Sequence, residues 1–171
     1  MPRNIEIKAR ITRLEETHAI AARLSGGPGE AIMQEDVFFR VEGGRLKLRI
    51  LSPSLGQLIY YERADKPGPK TSSYSVVESD CPAALHALLT AALGERATVR
   101  KLRHLYLAGR TRIHLDAVQG LGDFLELEVV LQDSETERDG EREARALMAQ
   151  LGIDESDLVE GAYVDLLATV P

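Results

Sequence analysis

The sequence predicts an α+β fold in which about eight antiparallel strands curl into a closed barrel with helices packed on the outside. Two observations lead there. Charged and apolar residues alternate in one segment after another, and the charges on those alternating faces are segregated by sign from the rest of the chain.

The first strand sets the pattern. Strand side chains point to opposite faces with period two, so Asn4, Glu6, Lys8 and Arg10 share one face and Ile5, Ile7, Ala9 and Ile11 the other. Thr12-Arg13-Leu14-Glu15 has the spacing of a capping box and predicts a helix from about Arg13 to Leu24, ended by Gly26-Gly27-Pro28. Gln34 to Val41 reads as a strand, and Glu42-Gly43-Gly44 turns it into a basic strand, Arg45 to Leu51, where Arg45, Lys47 and Arg49 alternate with Leu46, Leu48 and Ile50. Gln57 to Ala64 follows, with Ile59, Tyr61 and Arg63 in one register. Two prolines and a glycine keep Asp65 to Thr71 out of regular structure, which predicts a mobile flap carrying Lys66 and Lys70.

Tyr74 to Glu78 is a short strand, and Ser79 or Asp80 is placed to cap a second helix that runs to Leu93 before Gly94. Strands are predicted at about Ala97 to Leu107, Arg112 to Val118 and Asp123 to Gln132, separated by Gly109 and by Gln119-Gly120-Leu121-Gly122. In them Lys101 lies two before Arg103, Arg112, His114 and Asp116 alternate with apolar residues, and Glu126 lies two before Glu128. Ser134-x-x-Glu137 repeats the capping-box spacing and opens a helix to about Leu151, weakened near its start by Gly140. Short helical pieces are expected from Asp154 to Leu167, and the pattern reads as one domain over residues 1–171.

Composition bounds the function. A net charge of -6 argues against a general nucleic-acid or membrane-surface binder, since those carry a basic excess. No apolar run approaches the ~20 residues of a membrane-spanning helix. The single Cys81 has no partner for an intramolecular disulfide and no leader pattern opens the chain, which predicts a cytoplasmic setting. Dimerisation through an outer sheet face is compatible with the pattern, which supplies no argument for a homodimer.

Alternation alone fits an open sheet whose charges face water. Sign segregation favours the other arrangement. Nine cations (Lys8, Arg10, Arg45, Lys47, Arg49, Arg63, Lys101, Arg103, Arg112) share these faces with four carboxylates (Glu6, Asp116, Glu126, Glu128), a surplus of +5 in a chain of net -6. A cavity that holds a polyanion needs such a surplus, and converging carboxylates suit the divalent cation that accompanies it.

At these residues the chain resembles the CYTH superfamily, the triphosphate tunnel metalloenzymes, and within it the class IV adenylyl cyclase-like branch. Ile5-Glu6-Ile7-Lys8-Ala9-Arg10 looks like the family's N-terminal signature, and Gly44 to Arg49, Tyr61-Glu62-Arg63, Lys101-Leu102-Arg103, Leu115-Asp116 and Glu126-Leu127-Glu128 fall where the family has its basic and acidic strands. The resemblance implies an eight-stranded antiparallel tunnel that binds a triphosphate, ATP or inorganic tripolyphosphate, with magnesium or manganese. It assigns Glu6, Glu126 and Glu128 to the metal, with Asn4 and Asp116 as further candidates. Lys8, Arg10, Lys47, Arg49, Arg63, Lys101, Arg103 and Arg112 then grip phosphates, and Lys8, Asp116 and His114 are catalytic candidates. The family's Glu-x-Glu-x-Lys becomes Asn4-Ile5-Glu6-Ile7-Lys8 here, replacing one carboxylate by an amide. Three readings follow: a cyclase converting ATP to cyclic AMP and pyrophosphate, a hydrolase of inorganic, thiamine or nucleoside triphosphate, and a non-catalytic binder of nucleotide or polyphosphate. His18, His86 and His104 lie off the charged faces and carry no expected role, Cys81 has no acid-base partner nearby in sequence, and Tyr61 is the aromatic best placed for nucleotide contact.

Overall fold

The computed structural model describes residues 3–65 and 68–170. Eight strands occur among them: β1 (Arg3–Arg10), β2 (Glu30–Phe39), β3 (Arg45–Ser52), β4 (Leu55–Arg63), β5 (Lys70–Ser79), β6 (Glu95–Ala108), β7 (Thr111–Val118) and β8 (Gly122–Val130). They close into an antiparallel barrel in the order β1-β5-β4-β3-β2-β6-β7-β8. The first and last strands are therefore neighbours, with Glu6 opposite Glu128 and Lys8 opposite Glu126. Helices α1 (Leu14–Ser25), α2 (Pro82–Leu93) and α3 (Glu137–Gln150) pack outside, and a single 3-10 turn (Glu155–Asp157) leads to a short α4 (Tyr163–Leu167). No helix among the described residues is long and apolar enough to cross a membrane.

The barrel is apolar outside and ionic inside, as the segregated charges predict. Ile5, Ile7, Ile113, Leu115, Leu125 and Leu127 are buried in one core with Ala21 of α1 and Ala144, Leu147 and Met148 of α3. Each such aliphatic side chain contributes ~1.5–3 kcal/mol by leaving water, which holds the outward faces against the helices and leaves the charged faces only the interior. A smaller core joins Leu85 and Leu89 of α2 to Val37, Phe39 and Leu48.

Several local expectations need correction. The Thr12-x-x-Glu15 box does not form, because the first helix starts one residue later on Arg13, with no side-chain cap. α3 is capped two residues past the predicted Ser134, by Thr136 and Asp139, which satisfy each other's backbone amides. Cys81 is the N-cap of α2, while the Ser79 hydroxyl accepts from the Cys81 N–H at 3.2 Å. β2 begins at Glu30 rather than Gln34 because β6 extends far enough to pair with it from Leu105. Most consequential is the flap. Lys70 and Thr71 are not loop but the start of β5, paired with Glu6 and Ile5, and Lys70 is fully buried. Backbone pairing on both sides of β5 outweighs the local turn composition; Lys66 and Pro67 lie outside the described residues.

Two glycines are required by close approach. Gly44 turns the β2–β3 hairpin at φ +62, and a Cβ there would stand 2.7 Å from the Tyr60 hydroxyl. A Cβ on Gly140 would meet Ile5 at 2.6 Å and Leu131 at 2.7 Å, so the residue that weakens α3 in isolation is what lets it lie against β1.

A tail through the barrel end

The C-terminal segment positions the site. After the 3-10 turn the chain pairs briefly with β1, through an Ala9 bridge to Leu158 and a Val159 N–H bond to the Lys8 carbonyl at 2.9 Å. It then enters one end of the barrel. Ala162, Tyr163 and Val164 pack there with Phe38, Val99, Val118 and Phe124, an apolar plug at one end of an interior rich in charged side chains. Asp165 anchors it, accepting from Arg45 at 2.8 Å, from Arg96 at 2.6 Å and from the Ala162 N–H at 3.0 Å.

Candidate active site

The interior that remains is a cavity of about 450 Å³ with Ala162 and Tyr163 among its lining. Seven of the nine predicted cations line it: Lys8, Lys47, Arg49, Arg63, Lys101, Arg103 and Arg112. Arg10 and Arg45 do not. Arg10, on the same face of β1 but at the strand's end, is exposed beside the Phe124 ring, with its centre 4.8 Å away. Arg45 is taken up by Asp65 and Asp165 at the plugged end.

Three groups of ion pairs organise the lining. Asp36 on β2 accepts a bidentate pair from Arg49 at 2.8 Å and a bond from Lys47 at 2.7 Å. Across the barrel, Asp116 accepts a bidentate pair from Arg103 at 2.7 and 2.6 Å and a bond from the Tyr163 hydroxyl at 2.9 Å, with Lys101 at 3.4 Å. Between them Glu6 accepts from Arg63 at 2.7 Å, and the Gly161 carbonyl in the tail accepts from both Arg63, at 3.1 Å, and Lys8, at 3.0 Å. The Lys8 ammonium also sits 4.0 Å from the centre of the Tyr163 ring.

Asp116, a metal and catalytic candidate from the sequence, lies behind the cavity wall. It has no solvent-exposed surface, its oxygens are committed to Arg103, Lys101 and Tyr163, and it is absent from the cavity lining. What it does is hold two cavity cations in place. Asn4 and Glu6 do line the cavity, but Glu6 turns to Arg63, and the Asn4 amide nitrogen, oriented toward acceptors, donates to Glu6 and to the Ser72 carbonyl at 3.3 Å. Carboxylates converge instead at Glu126 and Glu128, together with His114: one ligand atom from each lies within 4.8 Å of the others. Glu128 accepts from Arg112 at 3.1 Å, and Glu126 lies 3.4 Å from Lys8 and 3.3 Å from Arg103.

Electrostatics separates these groups. Burial raises the Glu128 carboxyl, and the neighbouring Glu6 and Glu126 charges add to the rise. Burial acts on Glu126 as well, yet Lys8, Arg103 and Lys101 outweigh it and hold that carboxyl well below the usual range. His114 is kept neutral by burial and by the Arg103 guanidinium. Desolvation pushes Lys8 down to about 8 and, helped by Arg49, Lys47 down to about 7. Crowded cations whose charge is this costly are relieved by a polyanion.

Asp36 and Tyr163 line the cavity and were outside the sequence reading of the site. Asp36 had little signal, since Gln34-Glu35-Asp36-Val37-Phe38-Phe39 is a polar run followed by an apolar one and lacks the alternation of the basic strands. Tyr163 had none, because its place depends on a tail entering the barrel. His18 and His104 stack edge to face 4.7 Å apart away from the cavity, and Cys81 is exposed.

A closed antiparallel barrel with ionic faces turned inward, apolar faces covered by helices and a carboxylate-imidazole cluster in its wall defines a β-tunnel protein. The chain belongs to the CYTH domain family, which it matches over residues 2–163. It is 26% identical over 168 residues to the adenylate cyclase CyaB of Aeromonas hydrophila, covering 93% of this chain and 85% of that protein. Among solved structures it is similar to the PH1012 protein of Pyrococcus horikoshii, at a TM-score of 0.83 and 23% identity, covering 96% of this chain and 99% of that one. A conserved hypothetical protein of Pyrococcus furiosus matches at a TM-score of 0.76 and 23% identity, over 95% and 99% of the two chains. These likenesses bear out the barrel and its family.

Proposed function

We propose that this protein is a metal-dependent enzyme that takes a nucleoside triphosphate into the barrel, with conversion of ATP to cyclic AMP and pyrophosphate as the specific reaction. The observation that carries the reading is the mixed lining of the cavity. Seven cations and the Glu126–Glu128 cluster line it, and apolar side chains stand among them, Ile32 opposite Arg103, Leu105 opposite His114 and Val76 opposite Ile59. The cations suit phosphates, and the apolar side chains suit a base and ribose that an inorganic tripolyphosphate lacks. The likeness to the adenylate cyclase CyaB supports the same choice.

Lys8, Lys47, Arg49, Arg63, Lys101, Arg103 and Arg112 neutralise the triphosphate, with Asp36 and Asp116 holding four of them in position. The imidazole-carboxylate cluster fits a divalent cation, because two carboxylates converge there and the buried His114 Nδ1 has no hydrogen-bond partner. Magnesium or manganese bound by Glu126 and Glu128, with Glu6 nearby, would supply charge neutralisation at the phosphates. Lys8, in contact with both Glu126 and the tail, is assigned on this reading to the phosphate beside the metal. Catalysis on this reading is mostly positioning and electrostatic stabilisation.

The test is a product assay with ATP, and separately inorganic triphosphate, in magnesium or manganese, resolving cyclic AMP, pyrophosphate and phosphate. Cyclic AMP with pyrophosphate from ATP is expected. Phosphate alone, from either substrate, makes the protein a hydrolase and overturns the cyclase reading. Tight nucleotide binding without turnover in either metal makes it a binder.

A further inference from the structure

One buried polar atom in the cavity wall is unexplained by the phosphate-gripping machinery. His114 is 5% exposed, lines the cavity from β7, and its Nδ1 makes no hydrogen bond. A buried imidazole nitrogen without a partner is costly whichever tautomer it adopts, as a donor with no acceptor or a lone pair with no donor. Glu128 stands near without resolving this: its Oε1 is 3.8 Å from Nδ1, too far for a hydrogen bond. That separation does suit two ligands of one cation. Ligand atoms each ~2.1 Å from a metal lie at most ~4.2 Å apart. Glu126 is the cross-strand partner of His114, so its carboxylate joins from the next strand over.

We infer that His114 Nδ1 is a metal ligand, completing a nitrogen-and-carboxylate site with Glu126 and Glu128 that takes manganese in preference to magnesium. Magnesium prefers an all-oxygen shell and keeps its waters, whereas first-row divalent ions accept imidazole, and manganese, the weakest binder among them, is the one that also suits carboxylates. The inference rests on the metal-dependent reading above and narrows it to one kind of cation.

Electron paramagnetic resonance of the Mn2+-loaded protein tests it, because spin-echo modulation registers a nitrogen-14 nucleus in the metal's first shell independently of turnover. Nitrogen modulation is expected in the wild type and its loss in H114N, whose amide oxygen preserves size and offers a hard ligand. Calorimetric titration of H114N is expected to show Mn2+ affinity lower by at least the ~10-fold that losing even an outer-shell partner costs, with Mg2+ affinity within about threefold of wild type. The wild-type spectrum carries the test if H114N fails to fold. Mn2+ that binds without nitrogen modulation, or modulation that persists in H114N from His18 or His104, overturns the His114 assignment and leaves the metal-dependent reading intact. Absence of any Mn2+ or Mg2+ binding overturns both.

Discussion

Replacing Asp116 by Asn separates a metal ligand from a structural clamp. In the structure this carboxylate has no exposed surface and receives two bonds from Arg103, one from Tyr163 and a contact from Lys101, itself buried. Asparagine keeps the volume but removes the charge and turns an NH2 toward guanidinium donors. Breaking a buried ion pair from one side costs about 3–5 kcal/mol, because the partner is left charged and desolvated. For a chain of 171 residues each kcal/mol moves the melting temperature by about 2–4 °C, so D116N should melt about 6–20 °C lower. Thermal denaturation followed by circular dichroism measures this, and Mn2+ titration below the transition measures the metal. Metal affinity should stay close to wild type, while triphosphate affinity falls because Arg103 and Lys101 lose their brace. A variant that melts within ~2 °C of wild type but no longer binds metal would refute the clamp and restore Asp116 as a ligand.

The double variant E126Q/E128Q should lose metal binding and metal-dependent turnover while keeping the barrel's circular dichroism; full turnover in that protein would remove both residues from the metal site. Gly140→Ala should destabilise by about 1–3 kcal/mol in chemical denaturation, since its Cβ would lie 2.6 Å from Ile5, even though helix propensity alone favours Ala by ~1 kcal/mol; a gain in stability would contradict the packing. pH dependence follows from the lysines. Lys8 and Lys47 fall from 10.5 to about 8 and about 7 in the folded protein, so the unfolded chain holds more protons above those values, and they make the ligand-free protein more stable as pH rises toward ~10. Bound polyanion favours their charged forms, so tripolyphosphate binding at pH 8 should take up protons and weaken between pH 7 and 9. Titration calorimetry in buffers of different ionisation enthalpy reads the uptake, and pH-independent affinity without proton uptake would contradict it.

Much of this protein was legible from alternation. Period two assigns each residue of a strand to a face whatever the strand pairs with, so the separation of Lys47, Arg49, Lys101 and Arg103 from Leu48 and Leu102 was visible before any fold. It also determined that Glu126 and Glu128 point the same way. Tertiary structure alone decided how far along the barrel each charge sits and what it meets there. Arg10 and Asp116 share faces with tunnel residues, yet one ends at the rim and the other behind Arg103. Lys70 looked like loop because its flanking prolines are local, whereas its strand exists through pairing with β1 and β4. The tail is the clearest case: Gly161 reaches Lys8 across 153 residues of chain, and Tyr163 becomes part of the cavity wall. A side chain's face is set by its own strand's backbone, but its partners are set by barrel closure, strand register and the route of the tail.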